Sequence, residues 1–117
     1  MLIFFKVNQK IMVKMLDRLG YEVKAANDGF QAIEAAKSNR FDIILMDVHM
    51  PTCSGLEATV AIREYERDLN IHTPIIAVTA SVADELSCIN AGMDDFIAKP
   101  ISKTFFLSKL EKWIRTL

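Results

Sequence analysis

The chain opens on a short apolar run, Met1 to Phe5, of the kind a buried strand shows. From Asn8 the period lengthens: Ile11, Met12, Met15, Leu16 and Leu19 recur at helical spacing, and Gly20 follows as a stop signal. Tyr21, Val23 and Ala25 then alternate with Glu22 and Lys24, which predicts a half-exposed strand. Asn27-Asp28-Gly29 reads as a turn. Asp28 and Gln31 have capping-box spacing ahead of a helix whose apolar face holds Ala32, Ile33 and Ala36. Two further runs, Ile43-Ile44-Leu45-Met46 and Ile75-Ile76-Ala77-Val78, are apolar without interruption, as expected of parallel strands covered on both faces. Between them Ser54 and Glu57 mark another box-like start, for a helix running to about Arg67, and Pro74 ends the loop that follows. A helix from about Ser81 to Ala91 stops at Gly92, and Phe96-Ile97-Ala98 is a short strand stopping at Lys99-Pro100. Ser102 is placed to cap a last helix with the face Phe106, Leu110, Trp113, Ile114 and Leu117.

Strand and helix thus alternate from end to end. Right-handed crossovers between parallel strands then give an α/β fold, a five-stranded parallel sheet with helices on both faces. A length of 117 residues fits one domain over 1–117. With 51% hydrophobic and 25% charged residues, the chain has material for a core and does not have a disordered composition. A net charge of −1 carries neither a basic footprint for nucleic acid nor a polybasic patch for a membrane, so partners must be recognised through local patches. The leading apolar run is too short for a signal peptide or a membrane span. Cys53 and Cys88 lack framework spacing and read as small apolar fillers in a reducing compartment, so the expected location is cytoplasmic.

In open α/β sheets, sites form at the carboxyl ends of the strands. Three of the predicted strands stop there on a reactive or polar side chain: Asp47, Thr79 and Lys99. A carboxylate can attack phosphorus, while a hydroxyl and an ammonium can hold phosphoryl oxygens as charge develops. Singly, each has a plainer reading, as a cap or a surface lysine; together they end strands that the fold brings side by side. The surrounding residues add a resemblance. Asp47-Val48-His49-Met50-Pro51 with Gly55 resembles the phosphorylation loop of response regulator receiver domains, and Thr79-Ala80 resembles their hydroxyl step. Gly92-Met93-Asp94-Asp95-Phe96-Ile97-Ala98-Lys99-Pro100 is similar to their final strand and lysine, and Val7-Asn8-Gln9 to the first helix in receivers of hybrid histidine kinases.

The resemblance covers about residues 6 to 117 and implies a flavodoxin-like (βα)5 three-layer sandwich with strand order 2-1-3-4-5. It implies that Asp47 accepts a phosphoryl group from a phosphohistidine, on a histidine kinase or a histidine phosphotransfer protein. Lys99 would contact that group, and Thr79 would bond one of its oxygens and reorient with it. Phe96 would be the aromatic switch that turns inward with Thr79; its plainer reading is an ordinary core aromatic. The face near 81–90, Phe96 and 101–112 would dock partners, a second copy of the chain among the candidates, with no nucleic-acid or membrane contact. No stand-alone enzyme is implied: at most the domain catalyses its own aspartyl phosphorylation and dephosphorylation. An Asp-x-Asp phosphatase would want an acid at His49, and no Walker loop or dinucleotide fingerprint is present.

One departure bears on the cofactor. Receivers end their first strand with an acidic pair that helps bind Mg²⁺, and counting back from Val7-Asn8-Gln9 sets Ile3 and Phe4 at those positions. Asp47, helped by the backbone carbonyl of His49, would be the one carboxylate ligand. With Lys99 it leaves the site formally neutral instead of doubly negative, so attraction for Mg²⁺ falls. A zinc site at His49 is not expected. His72, in a polar loop, is expected to be solvated. Two readings therefore stand: a phosphoacceptor receiver, favoured by Asp47, Thr79 and Lys99, and a metal-deficient pseudo-receiver serving as a phosphorylation-independent interaction module, favoured by Ile3 and Phe4.

Overall fold

The structure, a computed structural model, describes residues 2–6, 14, 16–18, 20–26, 28–38, 41–48, 54–79, 84–98 and 102–115, with backbone alone at 2–6, 25, 26, 103, 114 and 115. The strands are β1 (Leu2–Lys6), β2 (Glu22–Ala26), β3 (Ile43–Asp47), β4 (Ile75–Thr79) and β5 (Asp95–Ala98). Helical residues at 14 and 16–18 make up the described part of α1. It is followed by α2 (Gly29–Ser38), α3 (Gly55–Leu69), α4 (Glu85–Ala91) and α5 (Lys103–Arg115). All the strand pairings are parallel, and the order is β2-β1-β3-β4-β5.

The two uninterrupted apolar runs are the reason for this order. Every residue of β3 and β4 is buried, which only central strands covered on both faces allow. Alternation along them splits the core into two layers. Ile44, Met46, Ile75 and Ala77 face Ala32 and Ala35 of α2, Ala58 and Ile62 of α3, and Cys88 of α4. Ile43, Leu45, Ile76 and Ile97 face Leu16 of α1 and Phe106 and Leu110 of α5, with Trp113 packed at the edge. Each fully buried branched side chain in these layers contributes about 1.5–3 kcal/mol. Cys88 is the filler expected of it: burial pushes its thiol up, and the nearby Asp84 and Glu85 carboxylates push the same way. Cys53 lies outside the described residues, as do Ile11, Met12, Met15, Leu19 and Leu117.

The helix signals translate into specific bonds. The Glu57 amide donates to Ser54 Oγ at 3.2 Å and the Ser54 amide to Glu57 Oε1 at 3.4 Å, so the capping box starts α3 as expected. The Gln31 amide donates to Asp28 Oδ1 at 2.8 Å, and the Phe105 amide to Ser102 Oγ at 3.5 Å. α3 runs two residues past Arg67 because Asn70 takes the left-handed conformation (φ 52, ψ 44) that closes it.

α5 is tied to β5 through Asp95. Lys109 Nζ donates to both its oxygens at 2.8 and 3.0 Å, and Trp113 Nε1 to Oδ2 at 2.9 Å. Burial alone would raise this carboxyl; the Lys109, Trp113 and Phe96-amide bonds outweigh it and hold it below the usual range. A depressed folded value means that the tie contributes stability above the ordinary carboxyl value, about pH 4, and loses it as the pH falls through and below that value. Urea midpoints measured from pH 6 to pH 2.5 are expected to fall more steeply for the wild type than for Asp95→Asn, which has no such proton to take up.

Candidate functional site

The sheet reverses its strand order between β1 and β3, and at such a switch point the carboxyl ends leave a crevice. Asp47 ends β3 and Thr79 ends β4. In register, Asp47 pairs with Val78 and Thr79 with Ala98, so Asp47 and Thr79 stand on neighbouring strands one residue apart in level. Lys99 follows Ala98 in sequence and, with Pro100 and His49, lies outside the described residues. Asp47 is 7% exposed and Thr79 1%, low values for side chains meant to meet a ligand from solvent.

The backbone after Asp47 is held closely. Val48 donates its amide to Val78 O at 3.2 Å and accepts the Gly55 amide at 3.0 Å, closing the loop onto the start of α3. A Cβ at Gly55 would lie 2.1 Å from Asp47 O, so the glycine named in the loop motif is needed for space, to let α3 begin against the backbone of the site. Thr79 Oγ1 donates to Asp84 Oδ2 at 2.9 Å. This partner was not legible beforehand: with a helix expected from about Ser81, Asp84 falls within its first turn, where nothing points back to Thr79. Phe96 is half-buried against the core layer beneath α2, α3 and α4, one strand over from Ala77.

The register places Ile3 beside Ile43 and Phe4 beside Ile44, three residues short of Asp47. At about 3.3 Å per residue that is about 10 Å from the end of the sheet. β1 instead continues through Phe5 to Lys6, in step with Ala25 and Ala26 of β2. By either alignment, no residue of Leu2–Lys6 carries a carboxylate. Among the described residues no three His, Cys, Asp or Glu side chains group so as to hold a metal ion. Mg²⁺ wants near-octahedral oxygens from one or two carboxylates and waters, and Leu2–Lys6 add no carboxylate to that of Asp47. We expect the melting temperature to stay essentially unchanged when millimolar Mg²⁺ is added; a rise of several degrees in a thermal melt would contradict this.

At the opposite end of the sheet lies a charged cluster that the sequence pattern did not reveal. Arg63 donates to Gly92 O (2.9 Å), Glu66 Oε1 (2.6 Å), Thr73 O (2.8 Å) and Asp94 Oδ2 (2.8 Å). Asp94 also accepts the Ile75 amide at 2.9 Å and bonds His72 Nε2 at 2.7 Å. His72 is exposed, as expected of a solvated side chain, and bonds Asp94 from that position. A cleft of about 460 Å³ between α2 and α3 is lined by Phe41, Ile62, Tyr65 and Ile71 among others; neither Asp47 nor Thr79 lines it. Among the described residues no helix is long and apolar enough to cross a membrane.

This architecture and strand-end pattern have known relatives. The sequence model of the response regulator receiver domain matches residues 5–111, and the chain belongs to that family. It is 44% identical over 103 residues to hybrid signal transduction histidine kinase I of Dictyostelium discoideum, covering 82% of this chain and 6% of that protein. Among solved structures, the receiver domain of sensor histidine kinase PA1611 from Pseudomonas aeruginosa PAO1, with a magnesium ion coordinated in its active-site cleft, matches at TM-score 0.86 and 39% identity. That match covers 97% of this chain and 96% of the other. The receiver domain of the Saccharomyces cerevisiae response regulator Ssk1, solved with the histidine phosphotransfer protein Ypd1, matches at TM-score 0.84 and 25% identity, covering 96% of this chain and 86% of that one. The chain spans 6–15% of the length of such curated relatives, several of them hybrid or sensor histidine kinases. It is thus a receiver domain of the two-component and phosphorelay class, with the flavodoxin-like fold.

Proposed function

We propose that residues 1–117 form one receiver domain in which Asp47 accepts a phosphoryl group from a phosphohistidine. The observation that carries this reading is the placement of Asp47 and Thr79 at the ends of neighbouring strands, with Asp47 on the strand beside the switch point. A carboxylate oxygen of Asp47 attacks phosphorus, a P–O bond forms as the P–N bond breaks, and the imidazole leaves with the electron pair and takes up a proton. Thr79 and Lys99 supply hydrogen-bond donors to the phosphoryl oxygens as charge shifts. Phe96 reports the change by turning inward when Thr79 moves. Mg²⁺ is the family's expected cofactor; the PA1611 receiver holds one, but the donor set of this chain argues for transfer with weak metal help or none. The donor protein would be a histidine kinase or a histidine phosphotransfer protein, as the Ypd1–Ssk1 pair suggests, met in the cytoplasm without nucleic-acid or membrane contact by this domain. Docking by a second copy of the chain is a further proposal for the α4–β5–α5 face.

The test is phosphotransfer from a labelled histidine phosphotransfer domain. Label is expected to move to the wild type and not to Asp47→Ala or, beyond a trace, to Lys99→Ala. The absence of any carboxylate in Leu2–Lys6 favours a second reading, a pseudo-receiver that binds its partner without phosphorylation. Partner binding of equal strength by the wild type and Asp47→Ala, with no label transferred, would support it instead.

A further inference from the structure

Thr79 carries one hydroxyl hydrogen, and that hydrogen is given to Asp84. The donor–acceptor distance is 2.9 Å, the Thr79 side chain is 1% exposed, and an ionised carboxylate can only accept. Asp84 also stands directly before α4, where an Asp usually folds back in an extended conformation to accept an amide of its own helix. Here its backbone is helical (φ −80, ψ −9) and its side chain caps nothing, reaching five residues back to Thr79 instead. The same hydroxyl therefore cannot donate to a phosphoryl oxygen until it leaves Asp84.

We propose that Asp84 is a latch on Thr79: a positioning residue that holds the hydroxyl in the unphosphorylated domain and releases it when a phosphoryl group competes for it. This inference rests on the reading of Asp47 as phosphoacceptor and adds a residue to that site. Release frees the Asp84 carboxylate to accept the first amides of α4, which offsets part of the lost bond and couples the phosphoryl group to the start of that helix. The latch thus opposes phosphorylation and sets its threshold. A hydrogen bond to a charged group, once removed from the unphosphorylated state, is large enough to change the phosphorylation rate or equilibrium about tenfold.

The experiment follows the phosphorylated fraction over time by intact mass with phosphoramidate, for the wild type, Asp84→Ala, Asp84→Asn, Thr79→Ala and the Thr79→Ala/Asp84→Ala double variant. Urea unfolding of each runs alongside. Asp84→Ala is expected to phosphorylate about tenfold faster or further, Asp84→Asn to fall between, and most of the gain to vanish when Thr79 is already alanine. Equal phosphorylation of wild type and Asp84→Ala would overturn the latch and leave Asp47 as acceptor. A gain of the same size without Thr79 would also overturn it, since the carboxylate would then act through its charge alone. If no variant takes up phosphoryl, the phosphoacceptor reading fails. The unfolding data then judge the contact itself: a double variant no less stable than the weaker single variant supports it, and full additivity overturns it.

Discussion

Arg63→Ala is expected to lower the unfolding free energy by about 3–5 kcal/mol, the loss seen when one partner of a buried ion pair is removed. Arg63 links α3 to the loop before β4 and to the turn before β5 through three short bonds, and a fourth ties it to Glu66 within α3. Its guanidinium stem also packs on Gly92, where an added Cβ would meet Arg63 Cγ at 2.9 Å. Removing it leaves Glu66, whose side chain is 5% exposed, and Asp94, at 16%, without their shared cation. Glu66 keeps the Thr73 amide at 2.9 Å, and Asp94 keeps the Ile75 amide and His72, so part of each carboxylate's bonding survives. Urea denaturation gives the number. Arg63→Lys should recover only a fraction, because an ammonium cannot form the planar fork that reaches Gly92, Thr73, Glu66 and Asp94 together. A loss under about 1 kcal/mol would mean that the network behaves as an exposed surface pair.

Gly55→Ala is expected to damage the fold and the site at once. The new methyl would sit 2.1 Å from Asp47 O and 3.0 Å from Met46 Cγ, and the nearer atom is backbone that cannot swing aside. Either α3 retreats or β3 shifts at its last residue. Overpacking of this kind costs about 1–3 kcal/mol, and displacement of Asp47 by even part of an ångström disturbs the alignment that an in-line displacement needs. Thermal melts should show a clear drop, and phosphoryl uptake should fall well beyond what the lost stability explains. Wild-type melting and wild-type uptake together would contradict the close packing of Gly55 on Asp47.

Much of the architecture was legible because its signals were local and consistent. The runs 43–46 and 75–78 were apolar on both faces, and the structure buries them on both faces. Ser54 and Glu57 carried their own reciprocal bonds three residues apart, so no knowledge of the rest of the fold was needed to place the start of α3. The strand-end residues Asp47 and Thr79 were legible for a related reason: an abrupt stop after an apolar run marks the edge of the sheet. What could not be read was long-range. Arg63 lies on the polar side of a helix pattern, and nothing in its neighbourhood points to residues 92 and 94, which the fold alone brings to it. Asp84 was hidden because a helix expected from about Ser81 places it within the first turn, where nothing in sequence points back to Thr79. The extent of β1 was not legible either, because its pairing with β2 carries the strand on through Lys6, past the positions counted back from the motif beyond it.

Whether Asp47 forms an acyl phosphate is decided by treating the protein with phosphoramidate, with and without Mg²⁺, reducing with borohydride and mapping peptides by mass. Reduction turns a phosphorylated aspartate into homoserine. The predicted result is homoserine at position 47 whether or not Mg²⁺ is present, and none in Asp47→Ala. Unmodified Asp47 in a folded protein, or homoserine at another acidic residue, would contradict it.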